Sequence, residues 1–192
     1  LRRQRQMCIR DRLWAGIYVI CTPGYPGIAS NNMIEANLVS CNYAEGVGIA
    51  NCPPGMVNFN TVWRNYIGTD VSGTVDFGNQ HDGVYIGEGA EDNAVDQNLI
   101  SGNDFDGVGI VGYAASQIFT NRNIVYNNII GLDISGVSLP NLNDGVAIGT
   151  YGTMAYEGYA EDNIVDTNVI AHNGRNGVSV WEYGAPAANA DR

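Results

Sequence analysis

Apolar and polar residues alternate along this chain in two short phrases that take turns. The first is Asn-x-[Val/Ile]-x-x-Asn-x-[Ile/Val], found as NMIEANLV from Asn32, NTVWRNYI from Asn60, NAVDQNLI from Asn93, NIVYNNII from Asn123 and NIVDTNVI from Asn163. The second is Gly-[Val/Ile]-x-[Ile/Val], which begins at Gly16, Gly46, Gly83, Gly107, Gly145 and Gly177. Both are rich in β-branched residues and bounded by Gly, Asn or Asp, so each predicts strands of about three to five residues. No stretch carries a 3.6-residue helical period. Repeats at roughly 24 to 40 residues predict stacked units in place of a single globular core.

None of these strands buries its apolar side alone. Coiling the chain so that each strand pairs in parallel with its counterpart one repeat later places Val84, Ile86, Val95 and Ile100 in columns with their equivalents. The expected fold is therefore all-β, a parallel β-helix solenoid of about five to six coils. Val84, Ile86, Val108, Ile110, Val146 and Ile148 should point inward, and Tyr18, Gly48, Tyr85, Gly109, Ala147 and Ser179 outward. Asn is a poor strand residue, so Asn37, Asn65, Asn98, Asn128 and Asn168 are expected at corners, accepting left-handed backbone geometry and stacking into a hydrogen-bonded ladder. The absence of a six-residue period argues against a hexapeptide helix, and the absence of an LxxLxL pattern against a leucine-rich horseshoe.

The phrases NLISGNDFDGVGI from Asn98, NYIGTD from Asn65 with its echo NIIGLD from Asn128, and the repeated DGVxI resemble the right-handed parallel β-helix repeat proteins of the pectate-lyase-like superfamily. The resemblance covers about residues 14 to 181. It implies a right-handed coil, in keeping with the usual crossover preference, and a bacterial, secreted or cell-surface setting. For activity it is permissive, since lyases, hydrolases, epimerases and adhesins share the fold. Polygalacturonases of the superfamily use clustered Asp, and its pectate lyases use Ca²⁺-binding carboxylates with an Arg base. Neither constellation occurs at the outward positions of the Gly-Val-x-Ile strands.

Residues 1–12, LRRQRQMCIRDR, hold five of the nine Arg, fit no repeat and lack the apolar run of a signal peptide. They read as a non-native, adaptor- or vector-derived leader, and residues 13–192 as the repeat domain, an uncapped piece of a longer solenoid that expects neighbouring coils as partners. Without the leader, Lys plus Arg falls from 9 to 4, Asp plus Glu from 20 to 19 and net charge from −11 to −15. There is no Lys. Such a surface disfavours nucleic acid, anionic membrane and unassisted polyanions, and favours cations such as calcium. No segment suggests membrane insertion. Cys21 and Cys52 follow consecutive Gly-Val-x-Ile strands, leaving open either a disulfide, which would suit an extracellular protein, or a pair of buried thiols.

Several columns carry candidate chemistry. The fourth position of the Asn phrase gives Glu35, Trp63, Asp96, Tyr126 and Asp166, with Arg64 beside it; alternating aromatic faces and carboxylates suit a sugar chain. Asp96 and Asp166 would lie about 9.6 Å apart, near the upper end for an inverting glycosidase. Just before each strand Gly stand Glu45, Asp82, Asp106, Asp144 and Asn176, expected to cap their turns. The loops IGTDVSGTVDFGNQHDG and IGLDISGVSLPNLNDG place Asp70 and Asp133 in register as candidate Ca²⁺ ligands, though neither loop matches an EF-hand. His81 and His172 sit in turns without an obvious partner. Tyr25, Tyr113, Tyr151, Tyr156, Tyr159, Trp181 and Tyr183 crowd the loops leaving the Gly-Val-x-Ile strands, the longest of which spans about residues 149–162. The functional expectation is a non-catalytic segment of a secreted or cell-surface β-helix protein, carbohydrate-contacting with extracellular polysaccharide as partner, or a rigid extracellular stalk. The competing class is a polysaccharide lyase, epimerase or glycosidase.

Overall fold

The computed structural model describes residues 14–22, 24–113, 119–151 and 159–183. The first coil contains β1 (Ile17–Ile20), β2 (Met33–Glu35) and β3 (Leu38–Val39), and the second β4 (Val47–Ala50), β5 (Thr61–Trp63) and β6 (Tyr66–Ile67). The third has β7 (Val84–Gly87), β8 (Ala94–Asp96) and β9 (Leu99–Ile100), and the fourth β10 (Val108–Tyr113), β11 (Ile124–Tyr126) and β12 (Ile129–Ile130). The fifth has β13 (Val146–Tyr151), β14 (Ile164–Asp166) and β15 (Val169–Ile170), after which β16 (Val178–Tyr183) begins another turn. Each strand pairs in parallel with the same strand of the next coil, building a six-stranded sheet β1-β4-β7-β10-β13-β16 and two five-stranded sheets, β2-β5-β8-β11-β14 and β3-β6-β9-β12-β15. No helix occurs among the described residues. The chain is a parallel β-helix.

The register is the one the alternation dictates. Val84, Val108 and Val146 align, as do Ile86, Ile110 and Ile148, and all six side chains are buried. Val62, Val95 and Val125 form a second inward column, and Ile67, Ile100 and Ile130 a third. These aliphatic stacks make one continuous core, in which each coil buries the apolar face that the next coil would otherwise expose.

Three Asn ladders close the corners, one more than the repeated phrase implies. Asn32, Asn60, Asn93, Asn123 and Asn163 form the first, and Asn37, Asn65, Asn98, Asn128 and Asn168 the second. Asn42, Asn79, Asn103, Asn141 and Asn173 form the third. In every step the backbone N–H and the side-chain amide of one Asn both donate to Oδ1 of the next. Asn98 shows the full pattern: its N–H and Nδ2 reach Asn128 Oδ1 at 2.9 and 3.0 Å, and Nδ2 also donates to the Val62 carbonyl at 2.9 Å.

The left-handed corner geometry belongs to the residue before the ladder Asn. Ala36, Arg64, Gln97, Asn127 and Thr167 have φ between 54 and 57° in front of the second ladder. Expecting the ladder Asn itself to be left-handed was a misplacement by one residue. The preceding residue makes the bend, which frees the Asn side chain to lie along the solenoid and bond to its copies.

The loop after β6 folds back as a flap. Gly73, with φ of 70°, sits where a Cβ would lie 2.9 Å from Leu99 and 3.0 Å from Tyr66, and outward-facing Leu99 is accordingly buried. The next flap stacks on it through the Ile134 N–H donating to the Gly73 carbonyl at 3.0 Å. Cys21 and Cys52 are buried free thiols, with Cys21 Sγ donating to Asn51 Oδ1 at 3.2 Å. Of the two cysteine readings, the thiol pair is the one the fold adopts.

Candidate functional site

The outer face of the six-stranded sheet is bordered by two side-chain ladders, one at the head of the strands and one at their tail. At the head stand Asp82, Asp106 and Asp144, each on a successive coil and each nearly buried. Asp82 Oδ1 accepts the Asp106 N–H at 3.0 Å, Asp106 Oδ1 accepts the Asp144 N–H at 2.8 Å, and Asp144 Oδ1 accepts the Asn176 N–H at 2.8 Å. The carboxylates do cap turns, but the turn of the following coil in place of their own. That shift by one coil turns the second oxygen toward the sheet, where Asp144 Oδ2 accepts the Ser179 hydroxyl at 2.6 Å and the Asp82 carboxylate covers Gly109.

The electrostatics of this ladder are uneven. Burial and the adjacent Asp82 charge push Asp106 up to about 6, against hydrogen bonds from Asp144 and Asn143 that pull the other way. Burial also pushes on Asp144, but the Ser179 and Asn176 hydrogen bonds outweigh it and hold that carboxyl below its usual value. His81 Nδ1 lies 3.4 Å from Asp82 Oδ2 and 3.9 Å from Glu45 Oε1, and the Asp82 hydrogen bond raises the imidazole's affinity for its proton. The ring stacks on Phe105 at 5.1 Å. His81 thus has the partners its sequence context did not reveal. His172 serves as a left-handed turn residue before Asn173, with φ of 59°.

At the tail of the strands Tyr113, Tyr151 and Tyr183 occupy one register column. Tyr113 and Tyr151 stack at 5.1 Å, and Tyr151 meets Trp181 edge-on at 5.0 Å. The Trp181 indole lies flat on Gly149, where a Cβ would collide with it. Between these ladders opens a groove of about 620 Å³, within the ~300–1,000 Å³ span of small-ligand sites. One wall is Tyr151, Trp181 and Tyr183, the other Asp106, Asn143, Asp144 and Asn176, and Ser179 lies between them. Sequence reading found the acidic column but assigned Tyr113 and Tyr151 to loops leaving the strands and Trp181 and Tyr183 to a strand exit, whereas all four lie within β10, β13 and β16. It could not show that the two ladders face each other, because they lie at opposite ends of the same strand and only the length of β10, β13 and β16 sets the gap.

Glu35, Trp63, Asp96, Tyr126 and Asp166 do stand in one register column across β2, β5, β8, β11 and β14. The column lies on a different face from the groove. Asp96 is buried, and its oxygens accept Gln97 Nε2 and Asn127 Nδ2, both at 3.1 Å. Arg64 lies over the Trp63 ring at 4.1 Å. Asp96 is therefore a strut inside a surface network, while Glu35 and Asp166 are exposed at its two ends.

Asp70 and Asp133 occupy equivalent places in the two flaps. Asp70 Oδ1 accepts the N–H groups of Thr74 and Val75, both at 3.1 Å, and Ser72 Oγ at 2.7 Å. Asp133 Oδ1 accepts the N–H groups of Ser135 and Val137, both at 2.8 Å, and Ser135 Oγ at 2.7 Å. Among the described residues no three His, Cys, Asp or Glu side chains converge as metal ligands. Of the Tyr-rich loops, Tyr159 stacks on Phe119 at 4.6 Å, whereas Tyr156 and the rest of residues 152–158 lie outside the described residues, as do the leader and the last residues of the chain.

Comparison with known proteins gives no family model, no curated protein and no solved structure that matches this chain.

Proposed function

We propose that this β-helix contacts carbohydrate without cleaving it, and that a short neutral or weakly cationic saccharide lies in the groove beside β13 and β16. The observation that carries this reading is the opposition of Tyr151, Trp181 and Tyr183 to Asp106, Asp144 and Asn176 across Ser179. Flat aromatic faces offer apolar area to a sugar ring at low entropic cost. The facing carboxylates and amide accept and donate to its hydroxyls. A net charge of −11 disfavours uronate polymers unless cations bridge them. Extracellular placement, with carbohydrate as the partner, goes with this reading.

Trp63 and Tyr126 stand on another face, either side of Asp96 in one register column, and the two faces are separable by mutation. A glycan array read with Trp181→Ala and Trp63→Ala is the test. Loss of binding by about tenfold in Trp181→Ala, corresponding to about 1.4 kcal/mol, with little change in Trp63→Ala supports the groove. The opposite ranking moves the site to the β2-β5-β8-β11-β14 face. Product analysis accompanies the array: new reducing ends or unsaturated sugars that disappear in Asp106→Asn would make the protein an enzyme and this reading wrong.

A further inference from the structure

We propose that the saccharide this groove takes is an amino sugar, a glycan bearing a free protonated amine, and that the amine sits on Asp106; this rests on the carbohydrate reading above. The acids at the head of the strands spend their second oxygens differently. Asp144 Oδ2 accepts the Ser179 hydroxyl at 2.6 Å, and Asp82 Oδ2 has the His81 ring nitrogen at 3.4 Å. Asp106 has neither. Its Oδ1 accepts the Asp144 N–H at 2.8 Å and Asn143 Nδ2 at 2.6 Å, while no donor among the described residues reaches Oδ2. The residue that matches Ser179 one coil earlier is Ala147, which has no hydroxyl to give.

Asp106 is only 5 % exposed, yet it lines the groove. Its Oδ2 is open there, because Thr150 Oγ1 is the one sealed side-chain polar atom without a partner among the described residues. A nearly buried carboxylate oxygen without a donor is costly, and an ionised donor satisfies it best. No described residue supplies one. Arg175, the cationic residue of the lining, gives its Nη1 to Asn143 Oδ1 at 3.1 Å, and its charge acts on Asp144. An ammonium group against Asp106 would offset the burial and the Asp82 charge that push this carboxyl up to about 6. Opposite stand the rings of Tyr151, Trp181 and Tyr183, whose faces also attract a cation. Both walls therefore favour positive charge over a neutral hydroxyl or acetamide, and the sugar ring that carries it keeps the apolar contact.

The probes are tetraglucosamine, chitotetraose and cellotetraose, which share one backbone and carry an amine, an acetamide or a hydroxyl at the same carbon, titrated by calorimetry at pH 6.5. Tetraglucosamine should bind at least about tenfold more tightly than either of the others. That preference should fall to within about twofold in Asp106→Asn, which keeps an acceptor for the Asp144 N–H. It should persist in Asp162→Asn, which removes the same charge from an exposed left-handed corner outside the groove, a conformation Asn adopts as readily. Cellotetraose or chitotetraose binding as tightly as tetraglucosamine would overturn the amine and leave carbohydrate binding standing. A preference that survives Asp106→Asn, or is lost equally in Asp162→Asn, would overturn it too. Absence of binding by these tetramers and by every glycan on the array would remove both readings. Should Asp106→Asn not fold, salt decides on the unaltered protein: from about 0.1 to about 0.5 M NaCl the preference should hold within about threefold, because a desolvated pair is screened little, and its disappearance would mark mere surface attraction and overturn the proposal.

Discussion

The backbone N–H of Asp144 donates to Oδ1 of Asp106 at 2.8 Å across a residue separation of 38. One side chain therefore sets both the turn of the next coil and the charge of the groove wall. Asp82 serves Asp106 in the same way at 3.0 Å. The spacing that lets these carboxylates cap successive coils also forces them near one another in a desolvated column, and Asp106, in the middle, bears the consequence with its value of about 6.

That value predicts a pH signature. A carboxyl whose folded pKa is raised binds more protons in the native than in the unfolded state between the unfolded value near 4 and about 6, so its contribution to stability falls as pH rises through that window. Asp106→Asn keeps an acceptor for the Asp144 N–H and removes the charge. Above pH 6 it should gain about 1–2 kcal/mol relative to the unaltered protein, discounted for solvent screening, and below pH 4 the difference should vanish. Urea unfolding at pH 4, 5, 6 and 7 reads this directly, and a constant difference across the series would refute it.

Ladder position should set the cost of losing an Asn. Asn98→Ala removes the acceptor for the Asn65 N–H and amide, at 2.9 and 3.0 Å, and leaves buried donors unpaired. The expected loss is about 2–4 kcal/mol. Asn37 is exposed at the first coil, and Asn37→Ala should cost less than about 1 kcal/mol. Chemical denaturation of the two variants under one condition compares them; equal losses would show that the ladder does not act through burial.

The inward columns predict a contrast along a single strand. Val108 is fully buried and paired with Val84 and Val146, so Val108→Asp places an unpaired charge in the core and should abolish folded protein. Ile110→Ala, also in the core, should fold with a loss of about 2–5 kcal/mol. Soluble yield and circular dichroism separate these outcomes. A folded Val108→Asp would mean that the register is wrong.

The flap carboxylates make calcium a measurable question. Asp70 is pushed up by burial, yet its hydrogen bonds from Ser72, Val75 and Thr74 together hold it below the usual carboxylate range. Asp133 is held low chiefly by Ser135 and Val137. Since turn donors already occupy Oδ1 of both carboxylates, millimolar Ca²⁺ should leave Tm unchanged, while Asp70→Asn lowers Tm equally with and without it. A rise in Tm on adding calcium that Asp70→Asn or Asp133→Asn abolishes would establish the flaps as a metal site.

The repeat itself determined the fold. Period-two alternation at Val84, Tyr85 and Ile86 places the outer two side chains inside and the middle one outside, and identical phrases one coil apart leave parallel in-register pairing as the arrangement that buries every such face. The column of Glu35, Trp63, Asp96, Tyr126 and Asp166 followed from the same logic, because residues at equal positions in a stacked repeat must align. Third-dimensional neighbours were different. That Asp96 would be buried within a Gln97 and Asn127 network, that Gly73 would roof Leu99, and that the left-handed corner falls one residue before the ladder Asn all depend on side-chain directions between coils. The third ladder, through Asn42, Asn79, Asn103, Asn141 and Asn173, was hidden because loops of unequal length separate it from the repeated phrase. The groove was decided last and only by the tertiary structure, since its two walls lie at opposite ends of six-residue strands and their separation is a property of the coiled backbone that no local pattern encodes.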